Sequence, residues 1–211
     1  MARRHALDRS FRRSQRCRVT TPALDDTAPC SDLERYLFDL RGYLVLRGAL
    51  AAGELAACNA TLDEVQDFVG TRWHGNVHLH HDPNGQEGLL LQQVYEAGPV
   101  WESFIDHPAW YRKAVHFIGT DAPENFDGNH GPAFIDECFA SVRRPGQAVR
   151  LHSGGHVRTI RTQFRYHNGR FHCGQINALM ALNDIGPGDG ATMLIPGSHK
   201  ANLPHPQESL E

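Results

Sequence analysis

Beyond Gly128 the chain is broken repeatedly by glycine and proline. The breaks are Gly128, Gly131 and Pro132, then Arg144-Pro145-Gly146-Gln147, then Gly186-Pro187-Gly188-Asp189-Gly190, then Pro196-Gly197. Each is a turn signal, because glycine supplies the positive φ and proline the fixed φ that tight turns need. Apolar runs bounded in this way suit strands better than long helices. Phe134 to Val142 alternates as a strand and Ala148 to His152 reads as its return. Gln175 to Leu182 and Thr192 to Ile195 read as two more, with a polar, arginine-rich excursion between the pairs.

The first half is patterned differently. Ser31-Asp32-Leu33-Glu34 is a capping-box pattern that opens a helix, Gly42 can close it, and Tyr43-Leu44-Val45-Leu46 then reads as a strand. From Ala51 to Val69, the residues Leu55, Cys58, Leu62, Val65 and Phe68 recur at three- and four-residue steps, which predicts an amphipathic helix seeking a partner surface. Pro108 and Gly119 bracket another helix over Ala109 to Ile118. His74 to Gly88 is polar and rich in turn formers, so it reads as a loop carrying His78, His80 and His81. Helices first and short strands later describe an α+β chain whose second half builds a sandwich or barrel.

At 211 residues and 40% hydrophobic, the chain can bury one substantial core. One folded unit over 31–211 is expected, preceded by a basic segment over 1–30. Its first nineteen residues hold seven arginines against one acid, Asp8, which suits a disordered tail, an organellar transit peptide or an over-long translated start. A net charge of -3, with Lys113 and Lys200 the only lysines, argues against a nucleic-acid partner. No apolar run approaches the roughly 18 residues of a membrane span, and there is no apolar secretion segment, so no membrane partner and a cytoplasmic location are expected. Cys17, Cys30, Cys58, Cys138 and Cys173 are odd in number and nowhere spaced as Cys-x-x-Cys, which predicts reduced, mostly buried thiols.

Ala181-Leu182-Asn183-Asp184-Ile185, Gly188-Asp189-Gly190 and Pro196-Gly197-Ser198-His199-Lys200 together resemble the phytanoyl-CoA dioxygenase family. Gly42-Tyr43-Leu44-Val45-Leu46-Arg47-Gly48, followed by a helix, is similar to that family's N-terminal signature. The resemblance covers most of residues 31–206. It implies a double-stranded β-helix, a cupin-like jelly roll with N-terminal helices. It also implies Fe(II) held by a histidine, a carboxylate two positions later and a second histidine near the end of the domain, with 2-oxoglutarate as co-substrate. Two imidazoles and a carboxylate occupy one face of an octahedral ion and leave positions open for the keto acid and O2. The difficult oxidation belongs to that cofactor chemistry, and the protein positions a substrate C–H bond.

On this resemblance His152 takes the place of the first iron ligand; otherwise it is a hydrogen-bonded histidine at a strand end. Two residues on, Gly154 stands where the family has aspartate. Three explanations compete: a halogenase-like site in which chloride takes the vacated position, a carboxylate supplied by Asp136 or Glu137, or a branch that binds metal weakly or not at all. His80-His81-Asp82 is the only literal His-x-Asp, and His78 with His80 could share a strand face, but the segment precedes the jelly roll and reads as a solvated loop.

The family's second histidine and its basic 2-oxoglutarate partner come well after the Pro-Gly-Ser-His-Lys turn. The chain is therefore expected to be a C-terminally truncated member, with later strands and ligands beyond Glu211 and unpaired edges that favour self-association. His199 is expected to brace the turn. Gln175 and Asn177, on one strand face, are candidates to hydrogen-bond the keto acid or the substrate. Arg158, Arg161, Arg165 and Arg170 either meet an anionic substrate or form a solvated loop, and Asp189 reads as a turn residue. The function implied is Fe(II)/2-oxoglutarate-dependent hydroxylation of a small organic substrate. The rival is a non-catalytic jelly-roll protein that binds a small ligand, or an inactive fragment.

Overall fold

The computed structural model describes residues 28–82, 88–121, 124, 126, 132–144, 149, 151–152, 159 and 162–206. The basic segment through residue 27, with Cys17, lies outside them, as do Gly154, Arg158 and Arg161.

The first helix, α1 (Asp32–Arg41), begins as its sequence predicts. Ser31 Oγ accepts the Glu34 amide at 3.2 Å, and the Glu34 carboxylate accepts the Ser31 amide at 2.9 Å, so two orphan donors are satisfied reciprocally. Gly42 ends the helix in the left-handed conformation, with φ 84°. The second helix, α2 (Ala52–Asp63), is shorter than its apolar period suggests, and Val65 and Phe68 continue the buried stripe in turns. Its N-cap, Ala51, has no side-chain acceptor, so only half of a capping box forms: Glu54 reaches back to the Ala51 amide at 2.6 Å.

Three strands follow, β1 (Gly70–His74), β2 (Val77–Asp82) and β3 (Gly88–Gln92). After a short 3-10 turn, Val94–Ala97, come α3 (Pro99–Glu102) and α4 (Tyr111–Ile118). Then β4 (Phe139–Val142) closes an antiparallel sheet of order β1-β2-β3-β4. Register places Leu79 opposite Leu91, and Leu91 opposite Ala140. Val77, Leu79, Leu89, Leu91 and Ala140 thus share one face, which packs on Cys58, Leu62 and Val65 and on Trp101 and Phe104. The buried Trp101 indole N–H is not orphaned, because it donates to Thr61 Oγ1 at 3.1 Å.

A second, aromatic core joins α1 to α4 and to a ribbon made of β5 (Tyr166–His167) and β6 (Arg170–Phe171). Phe38 stacks on Phe117 with centroids 3.8 Å apart, and Phe171 meets both edge-on. Asn168 and Gly169 turn the ribbon, both at positive φ (52° and 78°), as a two-residue hairpin of opposite-handed turn residues requires. Cys30 is buried in this core and Pro29 accepts from Lys113 Nζ, so the packed chain already includes these residues.

Several sequence expectations are corrected. His74 to Gly88 is not a loop: its described residues form the β1–β2 hairpin and the start of β3. The alternation Val77-His78-Leu79-His80 carried that signal beneath the polar composition. Tyr43 to Leu46, Gln175 to Leu182 and Thr192 to Ile195 are not strands, and neither are Val149, Leu151 and His152. A β-favouring run becomes a strand only when a neighbouring backbone takes its hydrogen bonds, and no ladder among the described residues does so here. Among the described residues the architecture is α+β, with one four-stranded sheet and a two-stranded ribbon. Among the described residues no second sheet completes a double-stranded β-helix.

Cys30, Cys58, Cys138 and Cys173 are free, and burial pushes the Cys30, Cys58 and Cys173 thiols up to about 11, so they stay protonated. No helix among the described residues is long and apolar enough to cross a membrane.

Leu79 is 1% exposed at the centre of the sheet. Leu79→Ala is expected to lower unfolding free energy by about 3 kcal/mol, measured by urea denaturation. Leu33→Ala, at a position 65% exposed, is expected to change it by less than about 0.5 kcal/mol.

Candidate functional site

The last four carbonyls of a helix lack intrahelical partners. In α1 three of them are taken up from two directions. Gly42 N–H donates to the Phe38 carbonyl at 2.8 Å, while Gly197 N–H donates to the Arg41 carbonyl at 2.9 Å and His199 Nε2 to the Asp39 carbonyl at 3.0 Å. Lys200 adds an ion pair to Asp39 at 2.7 Å and lies over the Phe164 ring, placing a cation where the helix dipole is negative. The His199 ring stands edge-on to Phe164 and presses so closely on Gly42 that a Cβ there would collide with it. The Pro-Gly-Ser-His-Lys turn and the Gly42 segment therefore form one contact, and His199 braces the turn as expected.

Because Nε2 donates, the neutral His199 carries no proton on Nδ1. Burial, reinforced by the Lys200 charge, pushes its pKa below the usual histidine value against the opposing pull of the Asp39 carbonyl.

The residues singled out for chemistry are spread over the second half. His152 is exposed. Gln175 is half-buried and held by its neighbours: Cys173 N–H donates to the Phe117 carbonyl at 3.0 Å and Gly174 N–H to the Gln163 carbonyl at 2.8 Å. From there Gln175 Nε2 donates to Asp136 Oδ2 at 3.2 Å. A candidate for binding the keto acid and a candidate ligand carboxylate, read separately in the sequence, are thus brought together just ahead of β4. Asn177 and Glu137 are exposed.

Arg165 is not a solvated arginine, because its Nε donates to the His172 carbonyl at 2.7 Å and fastens the ribbon. Asp189 accepts the Gly186 amide at 2.8 Å and is the turn residue it was read to be. His78 and His80 lie on the sheet face away from the core, and His81 on the core side.

No local sequence signal points to His107. It is 7% exposed, its Nδ1 accepts the Ala109 amide at 3.2 Å, and its Nε2 donates to Glu54 at 3.3 Å while the ring stacks on Trp110. It joins the start of α2 to the turn before α4, and its partner lies 53 residues away. The β5–β6 hairpin also falls within the stretch expected to be a polar, arginine-rich excursion, although its Asn168-Gly169 dipeptide is a hairpin-turn signal.

A model of the phytanoyl-CoA dioxygenase (PhyH) family matches residues 38–209. The chain belongs to this family. No curated protein and no solved structure matches it. The family's fold is a cupin-like jelly roll, and its members are generally 2-oxoglutarate-dependent oxygenases that use Fe(II). The described residues do not by themselves fit that ion. Among them no three histidine, cysteine, aspartate or glutamate side chains are grouped to hold a metal, and Gly154 lies outside them.

The contact at the end of α1 has a pH signature. With a folded pKa below the unfolded value, the unfolded chain takes up this proton first as pH falls, so the stability His199 contributes is full above about pH 6.5 and is lost below it. His199→Gln is expected to lose less stability than the wild type when unfolding is compared at about pH 7 and about pH 5. An equal loss would show that this histidine is not responsible.

Proposed function

We propose that the chain is an oxygenase of the Fe(II) and 2-oxoglutarate type that hydroxylates a small organic substrate in the cytoplasm. In this reading His152 is an iron ligand, and Gln175 and Asn177 hydrogen-bond the keto acid or the substrate. The observation that carries it is the family match over 38–209, which includes both the Gly42 segment and the Pro-Gly-Ser-His-Lys turn that bond to one another. The bound iron and keto acid would supply the oxidant. The chain's own part is to place and orient: the Gln175 amide, anchored to Asp136, is a fixed group able to direct a carboxylate or a substrate hydroxyl.

A second reading is favoured by the donor set. Gly154 leaves the usual carboxylate position without an oxygen donor, and among the described residues no three-residue group replaces it. On that reading the protein keeps the family shape and binds a small ligand without turnover. A halogenase-like variant would use the same glycine to admit chloride.

The deciding experiment uses the polypeptide as its own gene encodes it, loaded anaerobically with Fe(II) and supplied with 2-oxoglutarate and O2. Retained iron and succinate release, with His152→Ala lowering succinate formation by at least about tenfold, is the expected result. Iron-free protein and no succinate would leave the ligand-binding reading standing, and turnover that requires chloride would select the halogenase-like one.

A further inference from the structure

One face of the four-stranded sheet carries the main hydrophobic core. Alternation puts Thr71 and Trp73 of β1, His78 and His80 of β2, Leu90 and Gln92 of β3 and Phe139 and Ser141 of β4 on the other, where Leu90, opposite His80, is buried. Trp73 is 64% exposed and Phe139 49%, His80 is exposed and His78 half-buried. The two imidazoles therefore rise from the same side of one strand, about 6.6 Å apart along it at about 3.3 Å per residue.

Each imidazole leans on β1. Register sets His78 opposite Trp73, and the two rings are 4.9 Å apart. It sets His80 opposite Thr71, whose hydroxyl oxygen is 3.3 Å from His80 Nδ1. In the tautomer whose Nδ1 proton is donated to the Thr71 hydroxyl oxygen, His80 Nε2 carries the lone pair that a metal ion needs. Metal-binding histidines are held in this way, their second nitrogen tied to an oxygen that fixes tautomer and ring orientation. A strand paired on both sides, with Leu79 buried on its reverse face, holds the two ring bases at a fixed spacing.

We propose that His78 and His80 form a two-nitrogen site for a borderline divalent transition-metal ion of the zinc(II) class, on the sheet face opposite the core. Neutral imidazole suits Zn(II), Ni(II) and Cu(II), with metal–nitrogen bonds of about 2.0–2.1 Å, and rotation of the two rings toward one another lets both nitrogens reach one ion. Water completes the coordination. The site is separate from His152 and does not depend on the iron reading.

Trp73 makes the site observable. Copper(II), the tightest binder of the divalent series, quenches a neighbouring indole. The other two tryptophans, Trp101 and Trp110, belong to the core on the reverse face. Metal-stripped full-length chain is titrated with Cu(II) while tryptophan emission is followed, and zinc(II) is then added as a competitor. The expected result is saturable quenching at one ion per chain, reversed only by zinc in large excess, as the affinity order requires.

His78→Ala and His80→Ala are each expected to weaken binding at least about tenfold, since loss of an outer partner alone costs about 10–100-fold. Thr71→Ala weakens it less, and His152→Ala leaves it unchanged. His78→Gln and His80→Gln, which keep a polar side chain on this face, are expected to show the same loss if the alanine variants fold poorly. Quenching that does not saturate, that survives both histidine substitutions or that disappears in His152→Ala would overturn the proposal.

Discussion

The end of α1 is the point on which much of the structure depends. Helices end with carbonyls that must find donors, and here those donors come from a turn 160 residues further along the chain. Closing so long a loop carries an entropic cost, and it is offset by several contacts made together: two hydrogen bonds, the Lys200–Asp39 ion pair and the packing of the His199 and Phe164 rings. Gly42 is indispensable to this joint for two reasons. Its positive φ ends the helix, and its missing side chain leaves room for the imidazole.

From that joint the two cores follow. Phe38, on the same helix, centres the aromatic cluster that carries α4 and the β5–β6 ribbon, while α2 and α3 cover one face of the sheet. The ribbon in turn fixes Gln175, because Cys173 is both buried in the cluster and hydrogen-bonded to Phe117. A polar group in the second half is thus located by phenylalanines that share no chemistry with it. The sheet face opposite the main core carries mostly polar and aromatic side chains around Leu90, and there the imidazoles of β2 are held at strand spacing.

Membership of the phytanoyl-CoA dioxygenase family assigns a fold and a class of chemistry, whereas activity depends on the donors that a particular chain brings together. Those two levels differ here. The segments that mark the family are engaged in structural hydrogen bonds, so they can persist whether or not an iron site is complete. Asp136 is a carboxylate near β4, but it is committed to Gln175 and is not grouped with two further metal-binding side chains among the described residues.

What the sequence determined by itself is local. The Ser31 and Glu34 capping box, the Gly42 and Gly119 helix ends, the α4 span and the Asp189 turn all follow from residues within a few positions of one another, and each formed as its residue types require. The family signature was legible for the same reason, as short contiguous motifs. Pairing was not legible, because it depends on which backbone arrives alongside. Gln175 to Leu182 has strand composition without a partner ladder, whereas the polar stretch around His78 found two. Only tertiary structure set Gln175 against Asp136, buried His107 against Glu54 and placed His199 under α1. Each of these bonds joins residues tens to more than a hundred positions apart, where no local preference acts and packing alone decides.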